Sequence, residues 1–286
     1  MKDDSPIRFN YHTHTRFCDG RSEPEQYVQE ALRLGMHSLG FSAHSPLPFD
    51  TPFAIRWNEV EEYCHTILEL KQKYADRLPI YLSLEIDYIP GISENFDQLR
   101  NAHPLDYTIG SVHLVRPGDR EGLWFIDGPM AEIYDSGLQE LFDGDIQKAV
   151  STYYRYLNQM ITGQRPTIIG HMDKIKMHNR GRHFTEDEHW YIQLVEETLD
   201  NIQASAGIVE VNTRGVYKKR SDDLYPGRWV LQRIQQRHIP VTISTDAHRP
   251  EELTAYFDET VKILAEIGFR SVMYIKDGKW KEHPLC

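Results

Sequence analysis

The stretch IRFNYHTHTRFCDG, residues 7–20, sets a short apolar run, Ile7–Tyr11, against two histidines two apart, His12 and His14. If the chain stays extended through them, both imidazoles fall on one side, because strand side chains alternate with period two. Alone, the pair carries little weight. Fourteen histidines in 286 residues give about 0.7 H-x-H pairs from composition alone. Its meaning depends on whether other strands end in the same way.

They do. The runs Ser38–Phe41, Ile80–Leu84, Tyr107–Ile109, Thr167–Ile169, Ile208–Val211 and Pro240–Ile243 read as further strands. Just beyond their C-terminal ends come His44, Glu85, His113, His171 and the spaced pair Asp246 and His248, with Asp19 close behind His14. Between the runs the apolar period changes to that of helices. A Ser22…Glu25 capping box opens a helix over Ser22–Leu34, which Gly35 ends; another spans about Asp145 to Ile161. Thr185…Glu188 opens a third, and a fourth follows Pro250 with Leu253, Phe257, Val261 and Leu264 on one face. A last hairpin, Ser271–Ile275 and Lys279–Glu282, turns at Asp277-Gly278.

Seven strands interleaved with helices predict an α/β protein, either a barrel or a doubly wound sheet. In a parallel barrel all the strand ends share one face, where the chemistry of such folds sits. One histidine or glutamate at a strand end is ordinarily a hydrogen-bonded or solvated residue. Repetition at six strand ends instead predicts a metal site, since imidazole suits zinc and iron and carboxylates bridge ions. The other eight histidines (His37, His65, His103, His178, His183, His189, His238, His283) lack that placement and are expected to be ordinary. No strand is followed by a dinucleotide or P-loop glycine signature.

A net charge of −11 disfavours a nucleic-acid partner, which needs a basic face to displace counterions. No apolar run approaches the ~20 residues that span a bilayer, and Met1–Pro6 lacks the apolar core of a secretion signal. Cys18, Cys64 and Cys286 are too few and scattered for a disulfide framework. These features predict a cytoplasmic protein with free thiols, one domain over 1–286. The segment from Leu114 to Gly144, rich in Gly, Pro and Asp but containing Trp124, Phe125 and Ile126, is expected to be an ordered lid.

The motifs H-T-H-T…D-G, F-S-A-H-S-P, L-E-I-D-Y, G-S-V-H, I-G-H, E-V-N-T and T-D-A-H occur in this order between Tyr11 and His248. As an ordered set they resemble the PHP (polymerase and histidinol phosphatase) superfamily. L-E-I-D-Y, S-P-L-P and G-S-V-H look most like its histidinol-phosphate phosphatase branch. The resemblance implies a distorted (β/α)7 barrel with three divalent metal ions (Zn, Mn or Fe) at the C-terminal ends of the strands. It assigns His12, His14, Glu85 and Asp246 to one metal, and Glu85, His113 and His171 to a second, with Glu85 bridging. It assigns Asp19, His44 and His248 to the third. Many relatives carry histidine where this chain has Asp19.

Three such ions bring +6; Asp19, Glu85 and Asp246 with a bridging hydroxide leave +2, which matches a phosphomonoester dianion. The implied reaction is hydrolysis of a phosphate monoester by that hydroxide attacking phosphorus. In this branch the substrate is L-histidinol phosphate, in histidine biosynthesis. His248 or Asp19 is the expected proton donor to the leaving group. Arg214 is the first choice for orienting phosphate, ahead of Arg16 and Lys218. A solvated basic loop accounts nearly as well for Lys218, Lys219 and Arg220. Relatives more often read N-T-S-G-L-R-K here, so Arg214 replaces a small residue and Tyr217 stands where arginine is common. Asp119, Glu121 and Asp127 of the long loop are candidates to meet a substrate ammonium group. The competing expectations are a related phosphoesterase acting on a nucleotide, an oligonucleotide end or phosphotyrosine, and a non-catalytic metal-binding module.

Overall fold

The computed structural model describes residues 6–93, 95–118 and 120–285. Asp119 and Cys286, named above, lie outside the described residues. The strands are β1 Phe9–Asn10, β2 Ser38–His44, β3 Ile80–Asp87, β4 Ile109–Ser111, β5 Leu114–Val115, β6 Trp124–Phe125, β7 Ile168–Ile169, β8 Ile208–Asn212, β9 Val241–Ser244, β10 Ser271–Lys276 and β11 Lys279–Pro284. Seven of them form one sheet in the order β1-β2-β3-β4-β7-β8-β9, with every neighbouring pair parallel. Its two edges meet at a single bridge between Thr13 and Ala247. There His14 N–H donates to Ala247 O at 2.8 Å and Ala247 N–H to His12 O at 3.1 Å. The result is the expected distorted seven-strand barrel, nearly closed, with one unsealed seam.

The helices are α1 Pro24–Arg33, α2 Val60–Lys73, α3 Phe96–Ala102, α4 Ala131–Phe142, α5 Ile146–Gln164, α6 His189–Ser205, α7 Arg214–Tyr217, α8 Arg228–Gln236 and α9 Phe257–Ile267, all but the last lying between strands of the parallel sheet. Tyr27 of α1 meets Phe41 of β2 edge-on, with centroids 6.2 Å apart. Phe41 therefore faces the helices, and alternation turns Ser42 and His44 toward the barrel interior. The register sets His44 of β2 directly beside Glu85 of β3. Two side chains far apart in sequence thus become lateral neighbours on one face.

The N-terminal end of the interior is filled by rings. Tyr11 lies edge-on to Tyr81, Tyr107 and Trp280. A Cβ on Gly40 would sit 2.1 Å from Tyr107 Oη, so only glycine lets that ring enter. Tyr107 O–H donates to Tyr11 O, and Ile275 N–H of the terminal hairpin donates to Tyr11 Oη at 2.8 Å.

Several boundaries differ from expectation for local reasons. Strands β2 and β3 run on to His44 and Asp87, so both predicted ligands lie within strands rather than after them. Helix α1 is capped one residue later: Glu23 and Gln26 form the reciprocal box, because Pro24 takes the first helical position where its missing N–H costs nothing. Thr185 N–H does bond Glu188 at 2.9 Å, but as a turn ahead of a helix that begins at His189. Pro250 opens a short 3-10 turn, and left-handed Tyr256 at φ 66° separates it from α9. The segment 114–144 is not a bare loop: it holds the β5–β6 hairpin and α4. Buried Trp124 organises it, donating from Nε1 to Tyr134 O at 2.9 Å. Among the described residues, no helix is long and apolar enough to cross a membrane.

Candidate metal centre

The strand ends bring the predicted ligands together around Glu85, which is 1% exposed at the centre of the cluster. Its Oε2 lies 3.0 Å from His12 Nε2, 3.4 Å from His14 Nε2 and 3.1 Å from His44 Nδ1. Its Oε1 lies 3.0 Å from His171 Nε2 and 3.6 Å from His113 Nε2. One carboxylate thus faces five imidazoles. Asp246 Oδ1 adds contacts of 3.2 Å to His14 Nε2 and 3.9 Å to His12 Nε2. Asp19 Oδ2 stands 3.0 Å from His248 Nε2, with Oδ1 3.8 Å from both His14 and His44.

Backbone shape places these side chains. A Cβ on Gly20 would fall 2.4 Å from the carbonyl of His14, so glycine alone lets the Asp19-Gly20 turn fold back across the first strand end. Asp246 takes a left-handed φ of 51°, a region aspartate tolerates better than most side chains. His248 then donates Nδ1–H to Asp246 O at 3.0 Å and turns Nε2 toward Asp19.

The arrangement fits divalent cations. His12 Nε2, His14 Nε2, His44 Nδ1 and Asp19 Oδ1 are buried and have no hydrogen-bond partner, although carboxylate oxygens or imidazoles crowd round them. Lone pairs converging without hydrogen bonds between them suit ions lodged among them, and a mixed imidazole and carboxylate set suits zinc, manganese or iron. Four overlapping groups among the described residues have ligand atoms within 4.8 Å of one another. They are His14, Asp19, His44 and His248; His12, Glu85 and His171; His12, His14 and Asp246; and His44, Glu85 and His113. All nine predicted ligands are included, and no other histidine is. The groups overlap more than the three expected sites, since His14 also reaches toward Asp19, and His12 toward His171.

Support for the cluster comes from residues that sequence reasoning did not single out. Buried Glu210 of β8 holds His12 Nδ1 at 2.5 Å and receives His171 N–H at 2.8 Å. Asp87 binds His113 Nδ1 at 3.0 Å and its N–H at 2.9 Å. Carboxylates behind metal-facing imidazoles fix tautomer and orientation, leaving Nε2 free. The motifs E-V-N-T and L-E-I-D-Y contained both residues, but nothing in their spacing marked them. Buried Lys174 is the third such residue, paired with Asp127 at 2.9 Å and Asp246 at 3.6 Å.

Charge within the cluster is strongly polarised. Burial opposes protonation of His12, yet Glu85, Glu210 and Asp246 overcome it and hold its pKa well above the ordinary value. Burial likewise opposes protonation of His113, but Asp87 and Asp127 lift it to about 9. Burial prevails at His14 and His44 and lowers both to about 4. Burial resists ionisation of both carboxyls, but His12, His44 and His113 push Glu85, and Lys174 and His12 push Asp246, well below the usual range.

Above the cluster opens a cleft of about 380 Å³. Arg214 lines it, its side chain 12% exposed, as the first residue of the one-turn helix α7, and donates to Asp246 O at 2.7 Å. Lys218 lines it too, held by an ion pair with Glu252. Arg21, Arg220 and Arg249 complete a basic rim. Arg16 departs from expectation: it is 43% exposed, bonded to Glu23 at 2.5 Å and Glu62 at 3.3 Å, and is not among the cleft residues. Those two glutamates, and the Phe17 ring 4.2 Å below it, draw it outward. Of the loop acids, Asp127 reaches the cleft, while Glu121 is exposed outside it.

Comparison with known proteins agrees with this geometry. The PHP domain family model matches residues 10–214. The chain is 28% identical over 266 residues to a probable histidinol-phosphatase of Deinococcus radiodurans, covering 92% of this chain and 95% of that protein. It is 28% identical to the Bacillus subtilis histidinol-phosphatase, covering 83% and 92%. A putative histidinol phosphatase of Listeria monocytogenes superposes with a TM-score of 0.76 at 20% identity, over 88% of this chain and 99% of that one. The Lactococcus lactis histidinol phosphate phosphatase, solved with zinc, L-histidinol and phosphate, superposes with a TM-score of 0.69 at 20% identity, over 97% and 100%. Because the PHP domain model matches residues 10–214, well over half of its length, this chain belongs to the PHP domain family.

Proposed function

We propose that the protein is a metal-dependent phosphomonoester hydrolase, a histidinol-phosphatase that converts L-histidinol phosphate and water to L-histidinol and phosphate. The observation that supports this most directly is the cluster's position. Five of the nine ligands, Asp19, His44, His113, Asp246 and His248, line one small cleft together with Lys174, Arg214 and Lys218. A cleft of about 380 Å³ suits a small phosphate ester and leaves little room for a polymer. Relatives named histidinol-phosphatase, alike over most of the chain, point to the same substrate.

His12, His14, Asp246, Glu85, His113, His171, Asp19, His44 and His248 would hold three divalent ions, Glu85 being shared, with zinc the first choice. Bound there, such ions lower the pKa of water and draw charge from phosphoryl oxygens. The chain's own residues do the rest. Arg214, fixed through Asp246 O and 3.3 Å from Tyr217 Oη, turns its remaining N–H groups to phosphoryl oxygens. Lys174 and Lys218 add positive charge where the dianion sits. His248 or Asp19, 3.0 Å apart at the cleft edge, would be the proton donor to the departing alkoxide. The reaction serves histidine biosynthesis, in the cytoplasm.

The test is a substrate comparison on the purified chain, metal-free and then loaded with zinc or manganese. L-Histidinol phosphate, p-nitrophenyl phosphate, nucleoside monophosphates and bis(p-nitrophenyl) phosphate are assayed side by side. A kcat/KM for L-histidinol phosphate well above all others is expected. Diesterase activity alone, or an equal rate on every monoester, would defeat the assignment.

A further inference from the structure

The cleft has two unlike walls. The loops after β8 and β9 present cations, Arg214 and Lys218 among them. The opposite wall, from the loop after β2 and the segment carrying β5 and β6, presents Phe53, Phe125 and Asp127. The two phenylalanine rings stack, 5.3 Å between centroids at 29°. Phe53 also stands edge-on to His44 at 5.1 Å, which sets the aromatic wall against the ligand cluster.

Asp127 is held in an unusual state. Its side chain is 9% exposed and pairs through Oδ2 with Lys174, but Oδ1 is buried and has no hydrogen-bond partner. Lys174 therefore fixes the carboxylate's direction and leaves one acceptor without a donor. A buried acceptor in that condition costs free energy until a donor arrives. The wall is anchored beforehand: His178 Nε2–H donates to Gly128 O at 2.8 Å, and Trp124 Nε1–H to Tyr134 O at 2.9 Å.

We propose that Phe53, Phe125 and Asp127 form the subsite for the organic half of the substrate. The rings receive a flat unsaturated group, and Asp127 accepts a hydrogen bond from an ammonium group carried between that ring and the phosphate. The subsite thus selects phosphate esters that are cationic at one end and anionic at the other. This rests on the phosphomonoesterase reading above and deepens it. A different role for Asp127, as a further metal ligand beside His113 Nε2 at 3.9 Å, makes a different prediction.

The experiment crosses Asp127→Asn with removal of the substrate amine, using the metal-loaded full chain. L-Histidinol phosphate is compared with 3-(imidazol-4-yl)propyl phosphate, the same skeleton without the ammonium group. Asp127→Asn should lower kcat/KM for the first at least about tenfold more than for the second, as loss of one charge-assisted hydrogen bond requires. The difference should lie mainly in KM, with the metal content per chain that of wild type. Parallel losses on both substrates, or loss of metal, would overturn the proposal. Phe125→Leu should weaken both substrates together, and no change in either would remove the aromatic part. If wild type hydrolyses no phosphate monoester, the phosphatase reading fails, yet calorimetric titration with L-histidinol still decides the subsite. Binding weakened about tenfold by Asp127→Asn supports it; equal binding, or none, overturns it.

Discussion

At the N-terminal end of the barrel interior, Tyr11 lies edge-on to three rings, and its hydroxyl shares a 2.7 Å bond with Ser38 Oγ. At the C-terminal end of the same strands, buried His12, His14 and His44 and half-buried Asp19 keep nitrogen or oxygen atoms without hydrogen bonds. One end satisfies itself by packing and paired hydroxyls. The other is complete only when something else is bound. The contrast separates the two tasks of the fold, since stability is concentrated in the rings and the capacity to bind in the unsatisfied polar atoms.

Substitutions at the two ends should therefore fail in different ways. The largest effect is expected from Glu85→Ala, which removes the carboxylate facing five imidazoles: phosphatase activity should fall to background and bound metal should drop, by elemental analysis. An active, metal-replete variant would refute the central role of Glu85. At the opposite end, Phe9→Ala deletes a fully buried ring stacked on Tyr11 and Tyr274. It should cost about 3–5 kcal/mol in chemical denaturation, while metal bound per folded chain stays constant. Loss of metal without loss of stability would erase the division between the ends.

Glu210→Gln keeps the shape behind His12 but removes the charge, and should weaken metal binding about 10–100-fold in a competition titration with a chelator. An unchanged affinity would make Glu210 a packing residue only. The last effect concerns pH in the metal-free protein. Burial lowers His44 to about 4, below the 6.5 of an unfolded histidine. Its neutral form thus contributes stability that is fully present above pH 6.5 and is lost as pH falls through 4. Between those values the unfolded state binds the extra proton, so stability rises with pH by up to about 1.4 kcal/mol per unit for this group. His44→Asn should flatten urea-unfolding stability across that window, and an unaltered slope would show that His44 is not held neutral.

Much of this division was legible beforehand. The recurrence of His, Glu and Asp after short apolar runs located the binding end, because parallel strands deliver every C-terminus to one face. Strand limits were less legible: β2 and β3 continue through His44 and Glu85 into Asp87, since residues enclosed on both faces lose the polar alternation that marks an end. The long segment 114–144 read as a loop because its glycines and prolines hide α4, which Trp124 secures through tertiary contact alone. Arg16 shows the limit of proximity in sequence. It follows His14 by two positions, yet Glu23 and Glu62 turn it to solvent.

The sequence by itself offered the alternating α/β pattern, the candidate ligands at the strand ends and, through its ordered motifs, the family and its barrel, since these follow from residue type, period and order. The tertiary structure alone decided which carboxylate stands behind which imidazole, that Lys174 and Glu210 belong to the centre, and that Asp127 rather than Glu121 faces the cleft. The reason is physical: period and composition fix a side chain's face, but its partner depends on the register of strands and the path of loops distant in sequence. His12 and Glu210, 198 residues apart, meet at 2.5 Å only because the barrel curls round to bring the first strand near the eighth.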